Sequence, residues 1–508
     1  MKKSKKLLPI LLFTLWGLLL LIGCLIHRGA TWVEQVYGVQ FTELLFTLTS
    51  PLNGTGGDMV WVTIQGVLLP VLPTMIIYVF AVWLFAYSLP KYLTLALKVR
   101  LFRLNFTVKP LKLIHLVAPV AAIAMCVAGL LHADETTGMF DYIESVMSRS
   151  TIYETYYVEP ADVTLTPPAQ KKNLLLIYQE SMETTYASYE DGGWQNVNYM
   201  PNMTRLAQEN ISFSNTDKLG GFRMTGPTTW TMAALFATGS GLPFSFPVGG
   251  NNMGQYTKFA SGVTALGDIL LQEGYQNEFL CGSDVSFAGR KQFYEQHGNH
   301  TLYDLFTARE NGVIAQDYFE FWGFEDAILY EIAKEELTRL SQQEQPFNLT
   351  MLTVDPHHTG GYTCKLCGSD YENPTANVIA CADRQLNDFL LWCEQQPFYE
   401  DTVIVITGDH PRMDTILVDH VPRYERTMFN CFINSQATLL SDTKNREFAP
   451  MDMFPTILAA LGYQIPGDRL ALGTNLFSQR KTLTEELGHD AYSRELAKYS
   501  VFFAQHFY

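Results

Sequence analysis

An α/β fold on a largely parallel sheet, preceded by a group of membrane-spanning helices, is what this sequence predicts. Three observations lead there. The long apolar runs are confined to the part of the chain before residue 133. Beyond it, short apolar runs alternate with helical patterns, the arrangement that builds βαβ units. Several of those short runs end abruptly in a carboxylate or a histidine.

Residues 7–26, 60–89 and 113–131 are each apolar for close to the roughly 20 residues that a helix needs to cross the hydrocarbon. The first is too long for a signal-peptide core and no small-residue cleavage site follows, so it reads as a retained helix. Basic residues orient the group. The N-terminus is Met-Lys-Lys-Ser-Lys-Lys, and Lys91, Lys98, Arg100, Arg103, Lys109 and Lys112 lie between the second and third spans. Both segments belong on the cytoplasmic side, which puts everything after His132 outside. The expected organisation is a membrane domain over 1–132, a connector over 133–171 stiffened by Pro160, Pro167 and Pro168, an α/β domain over 172–465 and a C-terminal extension over 466–508 packing on it.

The formal charge of -16 falls mainly on the outer part, which argues against nucleic acid as a partner. An anionic substrate remains compatible, because a bound cation inverts the local field. Of eight cysteines, Cys24 and Cys126 sit in apolar runs; Cys281, Cys364, Cys367, Cys381, Cys393 and Cys431 follow. Cys364-Lys-Leu-Cys367 has no second CxxC at zinc-finger spacing, so a disulfide from Cys364 or Cys367 to Cys381 is the expectation rather than zinc.

In the α/β domain, Asn173-Leu-Leu-Leu-Ile-Tyr-Gln-Glu180 reads as a buried parallel strand ending in a carboxylate. The run 348–355 leads into Pro356-His357-His358, 402–409 ends at Asp409 and meets His410, and 276–282 runs towards Asp284. Helical patterns lie between them at 263–273, 318–342, 376–396 and 451–461. Ligands bind beyond the carboxyl ends of strands in such sheets, so Glu180, His357, Asp409 and His410 share one edge. Two carboxylates and an imidazole suit Mn²⁺ or Zn²⁺ and leave a position for substrate. Gly226-Pro227 sets a turn before a helix expected over 228–238, whose N-terminus favours phosphate. A threonine there is a candidate nucleophile, or merely a cap.

At these residues the chain resembles the alkaline phosphatase and sulfatase superfamily, and within it the lipoteichoic acid synthase and phosphoglycerol transferase branch. The matching stretches are 173–186, 225–243, 282–298, 353–360 and 402–410. The resemblance implies an alkaline phosphatase-type α/β sandwich with one divalent metal, Mn²⁺ before Mg²⁺ or Zn²⁺, held by Glu180, the nucleophilic Thr228, Asp409 and His410. It implies that Arg290 and His357 bind the phosphoglycerol group. Thr228 is assigned by its spacing to Gly241-Leu242-Pro243, with Thr225 as the alternative and Thr229 and Thr231 set aside. Sulfatases carry a C/S-x-P-x-R motif where this chain has Thr228-Thr229-Trp230. Ala288-Gly289 precede Arg290, where lipoteichoic acid synthases carry an aromatic residue.

The implied activity is transfer of the glycerophosphate headgroup of phosphatidylglycerol to a glycan or glycolipid acceptor, through a phosphothreonine-type intermediate, at a bacterial cytoplasmic membrane with the catalytic domain outside. Phosphoethanolamine transfer, a sulfatase-like hydrolase, and a catalytically silent sensor of the same fold are the alternatives.

Overall fold

The computed structural model describes residues 4–37, 41, 44–45, 61–89, 97–101, 104–108, 110–246 and 258–508. Of the basic residues used above for orientation, Lys2, Lys3, Lys91, Arg103 and Lys109 lie outside them. The chain divides into two units, one of Met1–Phe41 with Leu52–Asp141 and one of Thr42–Pro51 with Tyr142–Tyr508.

The first unit holds α1 (Ser4–Val36), α2 (Trp61–Ser88), a hairpin of β1 (Leu97–Leu101) and β2 (Leu104–Val108), and α3 (Pro110–Thr137). All three helices are long and apolar enough to cross a membrane. Close approach of α1 and α3 depends on small residues. A Cβ on Gly23 would come within 2.7 Å of the Cys126 nitrogen, and one on Gly129 within 2.7 Å of the Gly23 carbonyl. Small residues serve this purpose wherever helices pack without a hydrophobic drive between them. Ile76 and Ile77 on α2 are each 67% exposed, an apolar outer face of the kind a membrane-crossing helix carries.

The second unit is built on a six-stranded sheet in the order β5-β4-β6-β3-β7-β8. Its strands are β3 (Asn173–Gln179), β4 (Gln276–Cys281), β5 (Thr301–Tyr303), β6 (Phe347–Leu352), β7 (Thr402–Gly408) and β8 (Asn430–Ile433). Every pairing is parallel except β7 with β8, which is antiparallel. Side chains alternate across a strand, and β3 shows why its sequence is apolar throughout. Leu174, Leu176 and Tyr178 enter one core with α4 (Thr231–Ser240), α5 (Leu266–Gln272) and α9 (Met453–Ala460). Leu175 and Ile177 enter the other with α7 (Asp326–Leu340) and α8 (Pro374–Glu394). A further helix, α6 (Arg290–Gln296), follows β4. A sheet covered on both faces leaves only its ends open for chemistry.

Four of the expected helices begin later in the structure, and two of these shifts have a visible cause. The pattern over 318–342 becomes helical only from Asp326, because Glu320 and Gly323 close a tight turn on each other first. The helix expected over 228–238 is α4, starting at Thr231. Pro227 has φ -83° and ψ 60°, outside helical geometry, and Trp230 is extended at φ -134° and ψ 159°, so the chain makes a separate short turn over Gly226–Thr228 first.

The expected disulfide is a further correction. Cys364, Cys367 and Cys381 are free, with the Cys364 sulfur 3.7 Å from each of the others, well beyond the roughly 2.05 Å of an S–S bond.

C-terminal helices over Leu483–Leu487, His489–Ala497 and Val501–His506 belong to the second unit. Ser493 accepts the Gly226 N–H at 2.9 Å, so this extension braces the turn ahead of α4.

Leu270 and Leu271 are neighbours on α5, yet Leu270 is fully buried while Leu271 is 44% exposed. Leu270→Ala is expected to destabilise the second unit by roughly 2–5 kcal/mol. Leu271→Ala should stay within about 0.5 kcal/mol of the parent. Denaturant unfolding followed by intrinsic fluorescence checks the contrast.

Candidate active site

Parallel pairing of β3 with β7 sets Gln179 opposite Gly408. The next residues along each strand, Glu180 and Asp409, therefore leave the sheet side by side. Both are buried, as is His410, and one ligand atom from each lies within 4.8 Å of the others.

Local geometry aims these groups. Ser181 sits in the left-handed region at φ 55°, an uncommon conformation for a residue with a Cβ and one tolerated mainly at functional sites. This turn lets the Ser181 N–H donate to Asp409 Oδ1 at 2.8 Å while its hydroxyl donates to Glu180 Oε1 at 2.6 Å. Thr353, just past β6, accepts the Glu180 N–H at 2.9 Å. His410 Nδ1 lies 2.9 Å from the Pro411 carbonyl, which can only accept. The proton is thus on Nδ1, and Nε2 faces the carboxylates, 3.6 Å from Glu180 Oε1 and 3.5 Å from Asp409 Oδ2. A metal-ligating histidine is oriented by the same kind of second bond.

Asp409 Oδ2 is buried with no hydrogen-bond partner among the described residues. Burial, and then the neighbouring Glu180 charge, push the Asp409 carboxyl up to about 7. Burial raises Glu180 as well, but His357, His410 and the Ser181 hydroxyl outweigh it and hold that carboxyl below its ordinary value. Two acids and an imidazole converge on one buried point. A divalent cation satisfies all of them, and the donor set fits one.

The threonine at this cluster is Thr231. Its hydroxyl lies 3.4 Å from Glu180 Oε2 and 3.2 Å from His410 Nε2, at the first residue of α4. Thr228 is turned away. Its hydroxyl donates to the Thr225 carbonyl at 2.7 Å and accepts the Thr225 N–H at 3.2 Å, closing the Gly226–Thr228 turn. The structure does not bring the Thr228 hydroxyl, assigned by spacing, to the Glu180 cluster. Pro227 and Trp230 keep the helix from starting until Thr231, three residues later than a helix over 228–238 would. The hydroxyls of Thr225 and Thr229 are buried, and neither has a partner among the described residues.

His357 follows β6. Its Nδ1 donates to the His358 carbonyl at 2.8 Å and its ring meets Trp322 edge-on at 4.7 Å. Burial lowers the His357 pKa, offset in part by the Glu180 charge, so the ring is near enough to Glu180 for the two to influence each other. Arg290 opens α6 beyond β4, at the same edge of the sheet. Its guanidinium is held by the Ser283 hydroxyl at 3.0 Å, the Asp284 carbonyl at 2.7 Å and the Phe287 carbonyl at 3.3 Å. None of these bonds reaches the Glu180 cluster.

A buried ionic frame around the cluster went unnoticed in the sequence. Arg426 forks onto Glu183 at 2.8 and 2.5 Å and donates to the Arg412 carbonyl at 2.7 Å. Arg412 forks onto Asp414 at 2.6 and 2.8 Å and donates to the Pro356 carbonyl at 2.6 Å. It ties together the loops after β3, β6 and β7, the three that carry Glu180, His357 and Asp409-His410. Only the run Pro411-Arg412-Met413-Asp414 beside His410 hinted at it.

Residues 172–463 match the Sulfatase family, and the chain belongs to it. Among its relatives are two proteins named phosphoglycerol transferase I. That of Salmonella choleraesuis is 32% identical over 338 residues, covering 64% of this chain and 41% of the relative. That of Salmonella typhi is 33% identical over 282 residues, covering 54% of this chain and 35% of the relative. The chain thus spans well under half the length of these curated relatives. The lipoteichoic acid synthase LtaP of Listeria monocytogenes superposes with a TM-score of 0.50 at 16% identity, covering 66% of this chain and 93% of that one. That likeness establishes the shared α/β fold.

Glu183→Ala would leave Arg426 buried without its partner. Removing one member of a buried pair costs roughly 3–5 kcal/mol, so thermal unfolding should show a clear loss of stability. A melting temperature unchanged from the parent would mean the frame does not hold the site.

Proposed function

We propose that this protein is a membrane-bound phosphotransferase that moves the glycerophosphate headgroup of phosphatidylglycerol to a hydroxyl of a glycan or glycolipid, with Thr231 as nucleophile. The observation that carries the reading is the Thr231 hydroxyl at the first residue of α4, within hydrogen-bond reach of both Glu180 and His410. Similarity to proteins named phosphoglycerol transferase I supports the choice of headgroup.

Glu180, Asp409 and His410, with the Thr231 oxygen, are the residues to hold one divalent cation. Mn²⁺ is the first candidate, and bound there it supplies Lewis-acid charge that lowers the nucleophile's pKa and offsets charge developing on phosphate. The protein groups do the rest. The Thr231 oxygen loses its proton and attacks phosphorus. The bond from phosphorus to the diacylglycerol oxygen breaks, and diacylglycerol departs with a proton. Amide groups at the N-terminus of α4 face the phosphate oxygens. An acceptor hydroxyl then attacks the phosphoglyceryl ester on Thr231, regenerates the threonine and carries the headgroup away. His357, beside Glu180 and held as the neutral ring, is placed to hydrogen-bond the headgroup or pass a proton. Arg290 contributes by shaping the β4 edge and clamps phosphate only if its guanidinium leaves its own loop.

Three membrane-spanning helices fit a lipid donor that cannot leave the bilayer. The basic residues near the spans support placing the catalytic unit outside the cytoplasm.

Thr231→Ala should abolish release of diacylglycerol from phosphatidylglycerol vesicles. Thr228→Ala should cost about 1 kcal/mol of stability through the lost turn bond and retain measurable turnover. The reverse ranking of the two variants would refute the assignment. Dialysis against a chelator should remove turnover and added Mn²⁺ should restore it, both read by the same lipid assay.

A further inference from the structure

Cys364, Cys367 and Cys381 form a second cluster, separate in its residues from the Glu180 group, and one ligand atom from each lies within 4.8 Å of the others. We infer that these three side chains are a structural site for a thiophilic divalent cation, zinc in the first instance, bound as thiolates after release of three protons to solvent.

Distances carry the argument first. The Cys364 sulfur is 3.7 Å from both partners. With Zn–S bonds of about 2.3 Å, sulfurs at two corners of a tetrahedron lie about 3.8 Å apart.

The surroundings suit thiolates. The turn from Cys364 to Cys367 closes with the Cys367 N–H donating to the Cys364 carbonyl at 3.1 Å. The same turn directs the amides of Leu366 and Cys367 at the Cys364 sulfur. Cys381 and Gln385 are one turn apart on α8, and the Gln385 amide donates to the Cys381 sulfur at 3.4 Å and reaches that of Cys364 at 3.9 Å. Donors converging on sulfur stabilise negative charge there and orient the ligands. Cys364 and Cys381 are buried while Cys367 is half-buried, so water has access to a fourth position.

The site has a mechanical meaning. It joins the long loop after β6 to α8, and that loop carries His357. Thr375, in the first turn of α8, already donates to the Gly360 carbonyl at 2.9 Å, and the Tyr362 N–H donates to the Asp355 carbonyl at 2.7 Å. A cation on the three sulfurs fixes the far end of the same loop.

The test uses the full chain in detergent, loaded with zinc and dialysed, as wild type, Cys364→Ser, Cys381→Ser and Glu180→Gln. Each cysteine variant is expected to hold one zinc fewer than wild type, while Glu180→Gln keeps that zinc. Cobalt in place of zinc should give the intense near-ultraviolet absorption of thiolate-to-metal charge transfer in wild type and in Glu180→Gln. This readout needs no variant to fold and no enzyme activity. Absence of the band from cobalt-loaded wild type would overturn the site. So would a disulfide among the three cysteines, found by peptide mass spectrometry of protein isolated without added oxidant.

Discussion

Everything at this site depends on two carboxylates being buried next to each other. Their proximity is fixed by the register of two parallel strands, which places Gln179 beside Gly408 and so Glu180 beside Asp409. Burying one ionised acid is costly, and burying two in contact is worse, unless positive charge is supplied. The arrangement is stable only because the fold keeps compensating groups at hand. The Ser181 amide and hydroxyl serve one oxygen of each acid, and His410 Nε2 faces both acids.

That constraint explains the frame of charge around it. Glu183-Arg426 and Arg412-Asp414 are buried forks that do not touch the reacting position, yet they bind the loops after β3, β6 and β7 to one another. Loops are normally the mobile part of an α/β protein. Here three of them must agree to within a fraction of an ångström for Glu180, His357 and Asp409-His410 to face one point. A second device secures the same edge. Asp326, the first residue of α7, accepts the N–H groups of Val354 and Asp355 at 2.7 and 3.0 Å, and Asp355 accepts that of Asp326 at 3.1 Å. Burial first, then mutual repulsion, push the Asp355 carboxyl up to about 9, which leaves the pair short of one negative charge and able to stay buried.

Much of this was legible in the chain and some was not, for physical reasons. Buried parallel strands have continuous apolar runs, so β3, β4, β6 and β7 stood out, and residues immediately past such strands fall at the ligand-binding edge wherever the sheet order puts them. Glu180, Asp409 and His410 were readable in this way. The short strands β5 and β8 were not, because three or four residues carry too little pattern. Thr231 is set aside by the resemblance, which places the nucleophile by its spacing to Gly241-Leu242-Pro243, while the start of α4 depends on the backbone angles of Pro227 and Trp230. The Glu183-Arg426 pair was invisible because its partners are 243 positions apart in the chain, and charge pairing at such distance has no period.

The separation of Thr228 from Thr231 has a structural logic. Residues spaced by three lie on one face of a continuous helix, so Thr228 and Thr231 would both have faced the acids had α4 begun at 228. By ending one short turn at Thr228 and entering α4 through the extended Trp230, the chain separates them. Thr228 spends its hydroxyl on the Thr225 backbone, which fixes the entry angle of α4, and Ser493 from the C-terminal extension holds the same turn from outside. Thr231 is left at the first helical position, where its own side chain faces the acids and the following amides have no partners within the helix. One hydroxyl aims the helix and the other stands at its tip, so the proposed nucleophile and the unpartnered amides of the first turn lie together on a single rigid element.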